Sequence, residues 1–282
     1  MKIRIAFWGT PELTAVYLDA LDAAGMTPVV IVTNPDRPKG RGQELAPTPA
    51  KMWAQARGIP VLEPEKMDEA FAIQLGAFHP DISIVVAYGS IIPERLITLP
   101  EHKTLNVHYS LLPRFRGASP TEAAILAGDE ATGVAIQVMA QKLDSGPIVA
   151  QEWTPIGEDE TAPELRARLT DIGARLLVEK LPDYLEGRLQ PVPQDEISAT
   201  RCGKMHKEDG LIDPEGDALS NYRKYRAYFE WPRTYFFIEQ TGRQMRVIIT
   251  EAAYENDAFV IKRVLPEGKK EMNYADFLRG LK

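Results

Sequence analysis

The stretch MKIRIAFWGTPELTAVYLDALDAAGMTPVVIV, residues 1–32, sets the fold class. Its apolar spacing predicts a buried strand over Ile3–Phe7, a helix over residues 11–24 and a second strand over Val29–Val32. Thr10–Pro11 has the form of an N-cap followed by proline at the first helical position. Strand, helix and strand in succession form the repeating unit of a parallel sheet, so the stretch predicts an α/β protein.

The same alternation continues downstream to about residue 187. Helices are predicted over residues 49–57, 66–76 and 162–180, and strands over residues 61–62, 82–87, 104–107 and 133–139. The clearest buried strand is ISIVVA, residues 82–87. The sequence therefore predicts a Rossmann-like, doubly wound and mostly parallel sheet as a domain over residues 1–187.

Residues 188–207 have a different character. Proline, glycine, serine and threonine interrupt any regular period there, which indicates a linker. Beyond it, short β-type runs at Tyr235–Ile238, Met245–Thr250 and Phe259–Val264 are separated by polar turns. They predict a small C-terminal β-barrel, similar to an OB-fold, over residues 208–282.

The composition is that of a globular protein, with 44% hydrophobic and 26% charged residues in a chain of 282. No apolar run approaches the roughly 18 residues that span a bilayer, and the N-terminus lacks the form of a signal peptide. A single cysteine, Cys202, cannot form an internal disulfide and favours a reducing compartment. We therefore expect a cytoplasmic protein.

Charge is distributed unevenly along the chain. The formal net charge of −7 argues by itself against nucleic acid as a partner. However, residues 1–200 hold 18 basic and 27 acidic side chains, whereas residues 201–282 hold 15 and 13. The acidity thus belongs to the first part. The shift is explained either by a C-terminal module that faces an anionic partner or by a solvated surface.

Common cofactor and metal motifs are missing from the sequence. The loop WGTPE after the first strand holds one glycine, Gly9, where a dinucleotide site needs several. The sequence contains no P-loop, no Gly-x-Ser-x-Gly element, and no cysteine or histidine pair with the spacing of metal ligands. We expect no metal site.

The segment NVHYSLLPRFRGASP, residues 106–120, carries the most chemistry. Asn106 and His108 lie two residues apart at the end of a predicted strand, so their side chains share one face. An amide donor and an imidazole together suit the oxygen of a carbonyl under attack. A second polar cluster, KLDSGPI, contains Asp144. By spacing alone, a hydrogen-bonded structural histidine and a turn-capping aspartate explain these residues equally well.

The wider sequence resembles the folate-dependent formyltransferases, and among them the members that act on tRNA. The resemblance runs nearly end to end. Its segments are FWGTPE (7–12), TNPDRPKGRG (33–42), VVAYGSIIP (85–93), NVHYSLLPRFRGASP (106–120), AGDEATGVAI (127–136), KLDSGPI (142–148), KMHKEDGLID (204–213), EWPRTYF (230–236) and LPEGKKEM (265–272).

The resemblance implies a reaction and roles for three residues. The formyl group of 10-formyltetrahydrofolate would pass to the α-amine of methionine carried by initiator tRNA, in translation initiation. Asn106 and His108 would stabilise the oxyanion of the tetrahedral intermediate. Asp144 would orient His108 and favour its protonated form. One departure from the family is Tyr109, which replaces a small residue.

The resemblance also assigns substrate contacts. The folate pocket would be lined by Ser110, Leu111, Leu112 and Pro113, residues that composition alone places in an ordinary core. The tRNA would contact basic residues of the loop at 34–47 and of the linker: Arg37, Lys39, Arg41, Lys204 and Lys207. By composition alone, that loop is equally well explained as solvated surface. The expected partners are folate and tRNA, with the protein as a monomer and no membrane.

Two other functions remain open from the sequence. The first is a formyltransferase that acts on an amino sugar nucleotide or on glycinamide ribonucleotide, against which the basic loop and the C-terminal region argue. The second is a non-catalytic RNA-binding protein, against which the complete set of Asn106, His108 and Asp144 argues.

Overall fold

The computed structural model describes residues 3–39, 44–240 and 242–281. The strands are β1 (Ile5–Gly9), β2 (Val30–Val32), β3 (Arg37–Lys39), β4 (Glu44–Ala46), β5 (Val61–Leu62), β6 (Ile82–Val86), β7 (Thr104–His108), β8 (Arg116–Gly117), β9 (Ala131–Val138), β10 (Ile148–Pro155), β11 (Arg201–Cys202), β12 (Tyr235–Gln240), β13 (Arg243–Glu255), β14 (Ala258–Pro266) and β15 (Met272–Asn273). The helices are α1 (Thr14–Ala23), α2 (Pro49–Gln55), α3 (Glu69–Gly76), α4 (Glu94–Ile97), α5 (Pro120–Ala127), α6 (Ala162–Leu185), α7 (Ala218–Ala227) and α8 (Tyr274–Arg279), and a 3-10 turn covers Lys207–Gly210. Among the helices of these three ranges, none has the length and apolar character needed to cross a membrane.

The α/β part is built on a seven-stranded sheet in the order β10-β9-β7-β6-β1-β2-β5. The five strands from β5 to β7 are parallel, and β9 is antiparallel to β7. β1, β2 and β6 are buried along their whole length, as expected of strands that are covered on both faces. The predicted Rossmann-like, mostly parallel sheet is thereby confirmed.

The first helix begins later than predicted. α1 starts at Thr14, and Thr10 does not cap it because Leu13 occupies the N-cap position. The residues from Pro11 form a turn instead, in which the backbone N–H of Thr14 donates to the Pro11 carbonyl at 3.0 Å. α2 begins at Pro49 as predicted, and the Thr48 side chain caps it by accepting a backbone N–H of its first turn at 3.2 Å.

Some elements were not predicted. The connection over residues 34–47 contains an antiparallel pair, β3 and β4, rather than irregular loop alone. β10 was not predicted because only two of its eight residues are buried. Even the apolar Trp153 is 66% exposed. α5 was not predicted because its buried face includes Thr121 and Glu122, which interrupt the apolar period.

The chain divides into two compact units. The first comprises Met1–Arg116, Gly133–Trp153 and Ala167–Arg201, and the second comprises Gly117–Thr132, Thr154–Arg166 and Cys202–Lys282. α5 therefore groups with the C-terminal residues, where it packs against α7. The domain boundaries at residues 187 and 207 stay a prediction.

The second unit contains a four-stranded antiparallel sheet in the order β12-β13-β14-β15. Phe236, Val247 and Val264 on its inner face belong to one apolar core. α7 adds Tyr222 and Tyr225 to that core, and their rings stack with centroids 6.1 Å apart. The predicted antiparallel C-terminal region is confirmed, whereas its closure into an OB-like barrel stays a prediction.

Candidate active site

The predicted catalytic pair lies on β7, and His108 is the last residue of that strand. Asn106 and His108 share one face because strand side chains alternate. β7 has β6 as its parallel neighbour and β9 as its antiparallel neighbour, and Asn106 lies opposite Gln137 of β9. The carboxyl end of a parallel strand is where open α/β sheets bind ligands.

His108 is buried, and a hydrogen-bond acceptor faces each of its ring nitrogens. Nδ1 lies 3.7 Å from Oδ2 of Asp144, and Nε2 lies 2.9 Å from the carbonyl oxygen of Phe115. The first distance is longer than a hydrogen bond, whereas the second is within range. Each ring nitrogen of His108 therefore faces an oxygen, and Nε2 is the one within hydrogen-bond range.

Asn106 is partly exposed at the middle of β7. Among the described residues, its side-chain amide forms no hydrogen bond. An amide nitrogen carries two donor hydrogens, so this group is available to a substrate oxygen.

Asp144 is positioned by the turn between β9 and β10. Its carboxylate is only 10% exposed, and Oδ1 accepts a hydrogen bond from Nε2 of Gln137 at 2.9 Å. Its backbone has φ of 50°, a left-handed conformation that aspartate tolerates better than most residues. Gly146 is required in the same turn, because a Cβ there would lie 1.7 Å from the carbonyl oxygen of Val138. The turn thus presents Oδ2 to His108.

Two glutamines next to Asp144 were missed by the sequence analysis. Gln137 is 1% exposed and is the one polar residue of the run VAIQV in β9. A buried amide in an apolar strand needs a hydrogen-bonding partner, and that signal was available in the sequence. Gln194 donates to the backbone of the Asp144 turn. Gln194 was not predicted as a site residue because it lies in the predicted linker.

The four predicted folate residues form the turn after β7. Ser110 is fully buried, and its hydroxyl donates to the Arg114 carbonyl at 2.6 Å. Leu112 is 3% exposed, and its carbonyl accepts a hydrogen bond from Gln151 at 2.9 Å. Leu111 and Pro113 are partly exposed. Ser110 and Leu112 therefore hold the turn, while Leu111 and Pro113 present surface.

The unusual Tyr109 is directed to the helices that cover the sheet. Its hydroxyl lies 2.8 Å from the Thr170 hydroxyl of α6 and accepts a hydrogen bond from Tyr17 of α1 at 3.2 Å. Burial, followed by the proximity of Tyr109, raises the pKa of Tyr17 well above its usual value. The tyrosine pair thus belongs to the packing of the sheet, on the opposite face of β7 from His108.

The predicted tRNA-binding residues belong to both units and are described unit by unit. In the first unit, Arg37 is exposed at the start of β3, and Lys39 ends that strand. Arg41 lies outside the described residues. In the second unit, Lys204 and Lys207 are exposed. Across the described ranges, no three His, Cys, Asp or Glu side chains cluster as metal ligands.

The chain is similar to known proteins along nearly its whole length. The family model described as formyl transferase matches residues 1–181. The chain is 39% identical to the methionyl-tRNA formyltransferase of Halorhodospira halophila over 302 aligned residues, which cover 99% of this chain and 97% of that protein.

Two solved structures show the same fold. Methionyl-tRNA formyltransferase from Clostridium thermocellum has a TM-score of 0.63 at 16% identity, covering 94% of this chain and 98% of that one. The N-formyltransferase from Helicobacter canadensis, solved with folinic acid and dTDP-3-aminofucose, has a TM-score of 0.65 at 16% identity, covering 92% and 95%. Because the family model matches more than half of the chain and the curated relative is similar from end to end, this chain belongs to the formyl transferase family.

Proposed function

We propose that this protein transfers a formyl group from 10-formyltetrahydrofolate to the α-amino group of methionyl initiator tRNA, and that it acts in translation initiation. The observation that carries the proposal is the contact of Asp144 with His108 beside Asn106, in a chain related end to end to a methionyl-tRNA formyltransferase. The folate donor is supported by the folinic acid bound to a structural neighbour.

The chemistry follows from the amine of the substrate acting as the nucleophile. Its nitrogen attacks the formyl carbon, a C–N bond forms, and the carbonyl electron pair moves onto the oxygen. When the intermediate collapses, the bond to N10 of the folate breaks. The amine loses one proton and N10 gains one, so the products are the formamide and tetrahydrofolate.

The negative oxygen of the intermediate needs donors that are already in place. Asn106 offers an amide N–H, and protonated His108 offers a second donor. Removal of one such donor typically costs about 2.7–4 kcal/mol of transition-state stabilisation. Asp144 lies on the Nδ1 side of His108, which leaves Nε2 to face the oxyanion. We assign the proton transfer to this pair, relayed by water.

The Phe115 carbonyl is the partner that Nε2 of His108 exchanges for the substrate. In the structure, that carbonyl accepts from Nε2 at 2.9 Å. A neutral carbonyl is a weaker acceptor than an oxyanion. The exchange therefore favours the intermediate over the ground state, which is what catalysis requires.

We assign the substrate contacts as the sequence resemblance implies. The folate pocket is formed by the turn of Ser110, Leu111, Leu112 and Pro113. The tRNA backbone is bound by five cationic residues: Arg37, Lys39, Arg41, Lys204 and Lys207. Arginine and lysine side chains commonly position a nucleic acid through its phosphates.

The test is a formylation assay with three acceptors. Purified protein is incubated with 10-formyltetrahydrofolate and with methionyl initiator tRNA, an amino sugar nucleotide or glycinamide ribonucleotide, and each product is identified by mass spectrometry. We expect formylmethionyl-tRNA alone. Formylation of only the sugar or the ribonucleotide would assign one of those substrates instead. Binding of tRNA without any transfer would indicate a non-catalytic RNA-binding protein.

The loop contact is tested by Arg41→Ala. Loss of a cation that contacts RNA should raise KM for the tRNA and leave KM for the folate unchanged. Arg57→Ala is the control, because Arg57 is an exposed cation paired with Asp19 and Asp22. An equal rise in both KM values for Arg41→Ala would remove that residue from the tRNA site.

A further inference from the structure

Gln194 lies in a segment of the first unit that is hydrogen-bonded to other parts of that unit on both sides. Before it, the backbones of Val192 and Ile148 exchange two hydrogen bonds at 2.8 and 2.9 Å. After it, the Thr200 hydroxyl and carbonyl accept the backbone N–H groups of Phe115 and Arg116 at 2.8 and 2.9 Å. The segment between these attachments is therefore held against the residues that follow β7 and the strand that follows the Asp144 turn.

Arg116 fixes the orientation of the Gln194 amide. Its guanidinium is 3% exposed and donates to Oε1 of Gln194 from Nε at 2.9 Å and from a terminal nitrogen at 2.7 Å. A guanidinium has donors only, so the oxygen of the amide must face it. Arg116 also pairs with Glu196 at 2.8 Å, and its hydrogen bond, followed by that of Lys142, lowers the pKa of Glu196 to about 2.

The amide nitrogen of Gln194 consequently faces the turn that carries Asp144. Nε2 lies 2.9 Å from the Asp144 carbonyl oxygen and 2.7 Å from the Gly146 carbonyl oxygen. These two bonds use both of its hydrogens. Nε2 is also 3.4 Å from Oε1 of Gln137, the residue that donates to the Asp144 carboxylate.

These contacts reach the two parts of Asp144 that determine where its carboxylate points. Gln194 holds the carbonyl of a residue whose φ is 50°, and Gln137 holds Oδ1. Oδ2 then remains directed at Nδ1 of His108. Displacement of a reacting group by about 1 Å can cost about 10²-fold in rate. A residue 50 positions further along the chain therefore holds the backbone of the turn that carries Asp144.

We propose that Gln194 is a positioning residue, whose two hydrogen bonds to the Asp144 turn hold the carboxylate against His108 while buried Arg116 fixes the amide. The proposal rests on the function proposed above. Gln194 does not act on the substrate. Its effect is expected in kcat, because the Asp144–His108 pair acts in the transition state, and not in KM for either substrate.

The experiment compares Gln194→Met with Gln194→Glu and with a matched control. Methionine keeps the approximate volume and removes every hydrogen bond. Glutamate keeps the shape and the Arg116 contact but places an acceptor against two carbonyl oxygens. Gln190→Met is the control, since Gln190 lies shortly before this segment, is exposed and donates to the Gly187 carbonyl.

We expect kcat to fall about 10²-fold in both Gln194 variants, with KM for folate and tRNA unchanged, and no effect in the control. A normal kcat in both Gln194 variants would overturn the proposal. So would a raised KM with an unchanged kcat, because it would assign Gln194 to substrate binding. A lowered melting temperature with normal kcat would leave Gln194 a purely structural role.

A second readout does not depend on the reaction. The chain holds four histidines, so His108→Gln assigns the ring resonances of His108 in ¹⁵N NMR spectra. These resonances should change in Gln194→Met as they do in Asp144→Asn, and should not change in Gln190→Met. Unchanged resonances overturn the positioning role even if the wild type transfers no formyl group. If the resonances change but the wild type transfers no formyl group, the effect of Gln194 on the Asp144–His108 pair stands and the proposed function is rejected.

Discussion

The two neighbours of β7 differ in what they contribute. β6 is parallel to β7, is buried at all five positions and contains one polar residue, Ser83, which accepts from the Trp8 indole at 3.3 Å. β9 is antiparallel, places buried Gln137 beside Asn106, and leads into the turn of Asp144. One neighbour of β7 therefore provides packing and the other provides polar groups. Substitutions on the two sides should separate stability from activity.

The largest effect is expected for Asp144→Asn. The substitution keeps the size of the side chain but removes the charge that faces His108, so it should lower kcat by about 10²–10⁴-fold. The melting temperature should remain near that of the wild type, because the Gln137 amide still finds an oxygen. Steady-state formylation kinetics and thermal unfolding measure both. A kcat close to normal would remove Asp144 from the catalytic residues.

Gln137→Met should have the next largest effect. It removes the hydrogen bond that Gln137 donates to Oδ1 of Asp144, and loss of a hydrogen bond to a charged group typically costs about 1.5–3 kcal/mol. We expect kcat to fall about tenfold or more, if part of that cost appears in the transition state. Gln244→Met, at an exposed position of β13, is the control. If the two variants have equal kcat values, β9 contributes packing only.

Ile84→Val tests the β6 side. Ile84 is fully buried, and removal of one methylene from a core typically lowers the free energy of unfolding by about 0.5–1.5 kcal/mol. Because β6 carries no reacting group, kcat should be unchanged. Urea denaturation and formylation kinetics check the pair of expectations. A large loss of kcat with a small loss of stability would contradict the division between the two neighbours of β7.

The smallest effect is expected from Tyr88, which follows β6 and packs against Trp8 with ring centroids 5.3 Å apart. Burial raises the pKa of its phenol from 10.0 to about 12. The folded state therefore favours the neutral phenol. The contribution of Tyr88 to the free energy of unfolding is complete below pH 10 and is lost as the pH rises through about 12. Tyr88→Phe should therefore lose less stability than the wild type between these values. Equal losses in urea denaturation would contradict the assignment to Tyr88.

The parallel part of the fold could be predicted because its strands are apolar on both faces. Val61–Leu62 and ISIVV of β6 stand out as short apolar runs between helical periods. β10 could not be predicted in this way, because Gln151, Glu152 and exposed Trp153 interrupt its apolar pattern. Periodicity detects burial, and β10 is only partly buried.

For the candidate site, the sequence predicts the proposed reacting groups but not the residues that contact them. Asn106, His108 and Asp144 were found through a motif and a resemblance, and the structure brings Asp144 to His108. Gln194 was not found, since its role depends on Arg116, 78 residues earlier, and on the Asp144 turn, 50 residues earlier. No local pattern encodes contacts over such separations.

The contact of Gln194 with the Asp144 turn has a consequence for the protein during its synthesis. Gln194 leaves the ribosome 50 residues after Asp144, which at typical elongation rates is a delay of roughly 3–10 s. Every strand from β1 to β10, with the Gln137 donor, emerges before Gln194 does, whereas the hydrogen bonds from Gln194 to the turn cannot form until it has emerged. We therefore expect the strands of the sheet to be available for pairing before the contacts of Gln194 with the Asp144 turn can form.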